Sequence, residues 1–325
     1  MAEQMRASAG PRIPPIIAMG VAVLAASTAA LFIRYAQVMA PSLVIAAYRL
    51  GIAAALLWPI ALSRHNQEMR SMSGLPLRLA GASGLFLAAH FATWVASLEY
   101  TTVASSLVLV SMAPLFVGIL APWTLQEHLR RNVLIGLLFA LSGTLVIGLG
   151  DTCSWQGGLR CPKISGLLGT MRIRGDMLAL LGALTVSGYM LIGRRLRPSV
   201  PLIPYITVTY TVAAIALFGA AILSGEPLGG YPPSAYLFFL LLALIPQLIA
   251  HSTYNWTLRY LPVTVVSIML LGEPVAATML AYVLLGEQPS WLTVAGGTLV
   301  LAGVGIASWR ASGRRHNQSA ERSAP

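Results

Sequence analysis

Ten stretches of this chain are apolar for about twenty residues each, and that decides the solvent in which it folds. They lie at residues 16–35, 42–63, 78–98, 103–125, 132–150, 176–195, 202–224, 235–257, 263–285 and 290–309. A helix of that length crosses the hydrocarbon core of a bilayer. In lipid each backbone N–H and C=O must find its partner inside the protein, which favours helices for such runs. The expectation is an all-α integral membrane protein with ten transmembrane helices, and the lipid bilayer as its first partner. Only 10% of the residues are charged, against about a quarter in a soluble chain. The net charge of +11 does not point to nucleic acid, because the basic residues sit between the apolar runs, where membrane topology accounts for them. The apolar run that follows Arg6 and Arg12 extends from Ile16 to about Ile33, longer than the core of a signal peptide, and reads as the first span.

The chain is also one unit written twice. At an offset of 160 residues, without a gap, Tyr100 meets Tyr260, Val103 meets Val263, and Gly136 and Gly143 meet Gly296 and Gly303. Nearer the start, Leu24, Ser27, Arg34 and Pro41 meet Leu184, Ser187, Arg194 and Pro201. Five spans per unit is an odd number, so the second unit enters the membrane upside down, an inverted-topology repeat of the kind secondary transporters use. With both termini on one side, that side collects fifteen Lys/Arg and the other only Arg34, Arg160, Lys163, Arg172 and Arg174. The positive-inside rule then places both termini in the cytoplasm of a cell-membrane protein. The expected division is a cytoplasmic segment 1–15, a first unit 16–150, an extracytoplasmic loop 151–175, a second unit 176–309 and a basic cytoplasmic tail 310–325. Cys153 and Cys161 lie in that loop, either closed as a disulfide in an oxidising space or present as two thiols.

Each unit ends in a Pro…Glu helix followed by a Gly-rich one: Pro114 and Glu127 with Gly136/Gly143, then Glu273-Pro274 and Leu285-Gly286-Glu287 with Gly296/Gly303. On these residues the chain resembles the EamA-like branch of the drug/metabolite transporter superfamily. Arg49, in Ala-Ala-Tyr-Arg-Leu-Gly, looks like the arginine often found in that family's second helix. The sequence departs from the pattern at Ala113, which stands where an acid precedes proline in the second unit, and in its longer middle insert. The resemblance implies a carrier of small organic solutes, amino acids among them, with export common.

Ionisable groups inside a membrane are costly and mark function by default. Of ten acids only Glu273 is deep, ten residues into its run from Val263, or about 15 Å at helical rise. Arg49 is the one basic residue comparably inside. The pair reads as the site for a zwitterion, Arg49 on its carboxylate and Glu273 on its ammonium or a coupling proton, or as a structural ion pair, or Arg49 snorkels outwards. Gln247, His251, Tyr254 and Asn255 are spaced along one helical face, and His90, Trp94 and Ser97 form the matching stripe one unit earlier. Both stripes read either as the lining of the substrate path or as hydrogen-bonded faces of the bundle interior, and Trp94, Tyr189 and Trp256 would suit an amino-acid-like or amphipathic solute. Pro114 and Pro274 free backbone carbonyls inside helices and serve as hinges or as packing kinks. Glu127 and Glu287 fall at helix ends and read as interfacial, structural acids. No phosphate loop or metal-ligand spacing occurs, so no cofactor, no metal site and no enzymatic activity are expected. A membrane-embedded enzyme and a channel remain the competing classes. Protons or another ion are candidates for coupling.

Overall fold

A computed structural model of the protein describes residues 13–101, 103–127, 129–152, 154–155, 159–160, 170–285 and 290–308. The first span is α1 (Pro15–Ala26) and α2 (Ala29–Gln37), followed by α3 (Ser42–Arg64), a short α4 (Asn66–Ser71) and α5 (Gly74–Tyr100). The fourth span is α6 (Val103–Val110) and α7 (Ala113–Leu125), and α8 (Arg131–Thr152) closes the first half. The second half has α9 (Thr170–Leu196) and α10 (Leu202–Leu223), then α11 (Pro233–Leu242), a π-helical stretch (Ala243–His251) and α12 (Ser252–Thr257) in one span. It ends with α13 (Val263–Leu270), α14 (Glu273–Leu285) and α15 (Trp291–Ser308). Among the described residues nine helical segments are long and apolar enough to cross a bilayer, and α8 contributes a shorter apolar stretch, Arg131–Ile147.

Three spans expected to be continuous are broken. In the fourth and ninth, Pro114 and Pro274 occupy the second position of the new half-helix and have no N–H for the carbonyls of Val110 and Leu270. The first span breaks without a proline. There the hydroxyls of Ser27 and Thr28 take the carbonyls of Val23 at 2.7 Å and Ala25 at 2.8 Å, the back-bonding that bends helices. The eighth span widens into a π-helix around Pro246, whose missing N–H favours a looser turn. Between the halves, where the sequence predicts a loop over residues 151–175, α8 runs to Thr152 and α9 starts at Thr170. A two-residue antiparallel pair, β1 (Ser154–Trp155) with β2 (Leu159–Arg160), lies between them. Cys153, Cys161 and Glu287 lie outside the described residues.

The offset of 160 survives as geometry. Gln37 Nε2 donates to the carbonyl of Val95 at 2.9 Å, and Arg197 Nε to that of Asn255 at 3.0 Å. Trp58 reaches Thr211, while a Cβ on Gly51 would meet the ring of Phe218. Each contact becomes its twin when the two units are exchanged. The tightest seam is α8 on α15, where a Cβ on Gly143 would lie 2.5 Å from the carbonyl oxygen of Gly296, and one on Gly136 2.5 Å from that of Gly303. These are backbone atoms and cannot swing away. Without a hydrophobic drive between helices in lipid, such close backbone approach is what holds them. Gly143→Ala should therefore destabilise the protein by about 1–3 kcal/mol, and Gly143→Leu by more. Thermal unfolding in detergent reads this, and an unchanged midpoint for the leucine variant would refute it.

Candidate functional site

The three helix breaks and the π-helix converge on one cavity. Ala26 and Ala29 border it from the first break, Val110, Ser111, Ala113 and Pro114 from the fourth span, and Leu270, Leu271 and Glu273 from the ninth. Pro246 and His251 face it from the π-helix. The cavity's volume is about 80 Å³, on a measure by which one water takes roughly 10–15 Å³, so several waters or a small solute group fit. Irregular backbone at membrane depth is tolerated where it lines such a space.

Arg49 enters from α3 and is 1% exposed. Its Nε donates to Gln247 Oε1 at 2.9 Å, and its guanidinium carbon lies 4.1 Å from the centre of the Phe91 ring. Those two contacts fix the plane of the fork. Both terminal nitrogens, Nη1 and Nη2, are buried with no hydrogen-bond partner. A buried cation left with two open donors is costly unless something anionic or wet completes it. Glu273 faces the same cavity, and its Oε1 accepts from the Tyr254 hydroxyl at 2.9 Å. Arg49 and Glu273 thus share a space but make no ion pair. Among the described residues the ion pairs are His65–Glu68 and Arg194–Glu127.

The histidine stripes meet across this space. His90 Nδ1 donates to the carbonyl of Gly182 at 2.9 Å, which makes that nitrogen the protonated one when the ring is neutral. Its ring stacks on Trp94 at 5.8 Å. His251 packs against Phe91, Tyr189 and Tyr254, with its Nδ1 unpartnered, and Trp94 Nε1 is likewise open. Arg49, His90, Trp94, His251, Glu273, Pro114 and Tyr189 border the cavity. Gln247, Asn255 and Pro274 do not. Gln247 is fully buried and holds Arg49, while Asn255 donates to Tyr189 and to the carbonyl of His251. Ser97 bonds Ser106, and Trp256 packs on Tyr260 away from the site. Tyr254, a member of the expected stripe, borders the cavity. Phe91 is the part of the site that the sequence does not single out: it follows His90 directly, off the face that His90, Trp94 and Ser97 share, so helical spacing does not mark it.

Polar contacts tie segment ends together at both ends of the bundle. At the end where α7 stops, Glu127 Oε1 accepts from Arg194 Nε at 2.6 Å and its Oε2 from the Val263 N–H at 3.2 Å. Arg194 Nη1 also donates to the Leu258 carbonyl at 2.7 Å, so one pair ties four segment ends. At the other end Ser42 donates to Glu99, and in the connection between α10 and α11 burial, then the nearby Glu99 charge, holds the Glu226 carboxyl above the ordinary carboxylate range.

The chain matches the sequence model of the EamA-like transporter family twice, over residues 13–149 and 173–309. It is 24% identical over 273 residues to the uncharacterized transporter YyaM of Bacillus subtilis (strain 168), covering 81% of this chain and 83% of that one. It is 25% identical over 198 residues to the uncharacterized transporter YdfC of the same organism, spanning 60% of this chain and 59% of the relative. A chain of known crystal structure, 22% identical, superposes with a TM-score of 0.73 over 93% of this chain and 98% of its own. At that identity the likeness speaks for the fold alone.

Proposed function

Because the chain belongs to the EamA-like transporter family, we propose that it is a secondary transporter of the cell membrane that exports small organic metabolites such as amino acids or related compounds. On this reading ten spans form two inverted five-helix units, residues 16–150 and 176–309, which rock about a midplane site by alternating access. The 151–175 segment lies outside the cell, and both termini, 1–15 and 310–325, lie in the cytoplasm. The observation that carries the reading is the open fork of Arg49 in a cavity built from broken helices. A guanidinium with two free parallel donors suits a carboxylate. Glu273, held by Tyr254 rather than by Arg49, is left to take the solute's ammonium or a coupling proton. His90 and His251, the other side chains bordering the cavity that can carry a proton, are the alternative carriers.

Two experiments test this. Counterflow of labelled amino acids into proteoliposomes should show chemically unchanged solute exchanging across the bilayer. A converted product would point to an enzyme, and ion-like conductance to a channel. In a variant with Cys153 and Cys161 replaced by serine, cysteines at His90 and His251 should react with a water-soluble thiol reagent and be protected by the transported solute. A cysteine at Gln247, behind the wall, should react at least about tenfold more slowly, as expected for a position without access. Equal rates at all three positions would contradict the cavity assignment.

A further inference from the structure

Two serines 160 residues apart make the same two contacts. Ser27 Oγ lies 2.7 Å from the carbonyl oxygen of Val23 and 3.1 Å from that of Glu273. Ser187 Oγ lies 2.7 Å from the carbonyl oxygen of Ala183 and 3.0 Å from that of Ala113. Exchanging the units turns one set into the other, since Val23 pairs with Ala183 and Ala113 with Glu273. A serine inside a helix commonly back-bonds the carbonyl four residues earlier, and that explains only the first contact of each. The second crosses from one unit to the other. It lands each time on the residue just before the proline that opens a half-helix at the cavity, Pro114 or Pro274. One hydroxyl proton is thus shared between two carbonyls in both places.

The twins differ in what they hold. Ser187 secures the backbone of Ala113, which has no functional group. Ser27 secures the backbone of Glu273, whose carboxyl faces the cavity and is bonded by Tyr254. Glu273 is the first residue of α14, so its carbonyl belongs to the opening turn, and anchoring it sets where that turn begins. We propose that Ser27 is the positioning residue of Glu273: it ties the break in the first span to the break in the ninth and thereby aims the carboxyl at the Tyr254 hydroxyl. The proposal rests on Glu273 serving the transport site. Ser187 supplies a control within the molecule, because its removal costs an equivalent bond without touching an acid.

Infrared spectroscopy of the whole protein in liposomes tests this without knowledge of the solute. The carboxyl bands deleted by Glu273→Gln are those of Glu273. Their pH midpoint is set in the field of Tyr254, which bonds the group, and of Arg49, Tyr189, His90 and His251 around the same cavity. In Ser27→Ala these bands should change frequency and their midpoint should move by about threefold or more in proton concentration, the low end of what one hydrogen bond contributes. Ser187→Ala should leave both unchanged, and Ser27→Thr should restore them. If Ser27→Ala does not fold, Ser27→Cys, a weak donor at the same place, should give the same displacement. Unmoved bands in Ser27→Ala or Ser27→Cys, or an equal displacement in Ser187→Ala, overturn the assignment. A failure of the coupling role of Glu273 would instead appear as normal gradient-driven transport by Glu273→Gln, with the infrared comparison still readable.

Discussion

Glu273→Gln should reduce gradient-driven accumulation to simple equilibration while solute exchange across the membrane persists. Glutamine keeps the size of the side chain, and its amide oxygen can still accept from the Tyr254 hydroxyl that bonds Glu273 at 2.9 Å. What it loses is the ability to take up and release a proton. One proton exchanged per solute lets a difference of one pH unit support up to about tenfold accumulation, from about 1.4 kcal/mol per unit. That factor should fall to about one in the variant. Counterflow needs no net proton movement, and so it should survive. The measurement is uptake and counterflow in proteoliposomes with the pH gradient switched on and off. If the variant transports normally in both modes, Glu273 is a structural acid, and His90 and His251 become the groups to test.

Arg49→Met should abolish transport and leave the solute-free protein as stable as wild type, or more so. In the structure the guanidinium is fully buried, with only its Nε bonded and both Nη atoms open. Its removal loses the stacking on Phe91, about 0.5–2 kcal/mol, and leaves Gln247 without its donor, about 1–3 kcal/mol. Against this stands the penalty of several kcal/mol for burying an unpaired ion, which methionine does not incur. Stability should therefore not fall. Solute affinity should fall by at least about a hundredfold, because two charge-assisted hydrogen bonds of about 1.5–3 kcal/mol each disappear. Arg49→Lys should be intermediate, retaining charge but not the planar fork that engages a carboxylate with two parallel bonds. Thermal unfolding without solute and exchange rates with it read the two halves of this prediction. A large drop in unfolding temperature for Arg49→Met would show that the residue holds the fold together.

The helices, the twofold repetition and the depth of the two charged groups could be read from residues alone. Hydropathy is a local property, and about twenty apolar residues imply a spanning helix whatever lies beside it. Pro114 and Pro274 mark the breaks that they open, and the glycines at 136, 143, 296 and 303 announce a close seam because nothing else fits between two touching backbones. Partnership between side chains is different, since it depends on how each helix is rotated and where its neighbours stop. Arg49 and Glu273 had compatible depths, yet packing delivered Gln247 and Phe91 to the first and Tyr254 to the second. Regular helical spacing put Gln247, His251, Tyr254 and Asn255 on one face. The π-helix alters the turn at that point, and of the four His251 and Tyr254 border the cavity. The break at Ser27 carries no proline to announce it. It is visible only where that hydroxyl meets the carbonyl of Glu273, 246 residues away in the chain.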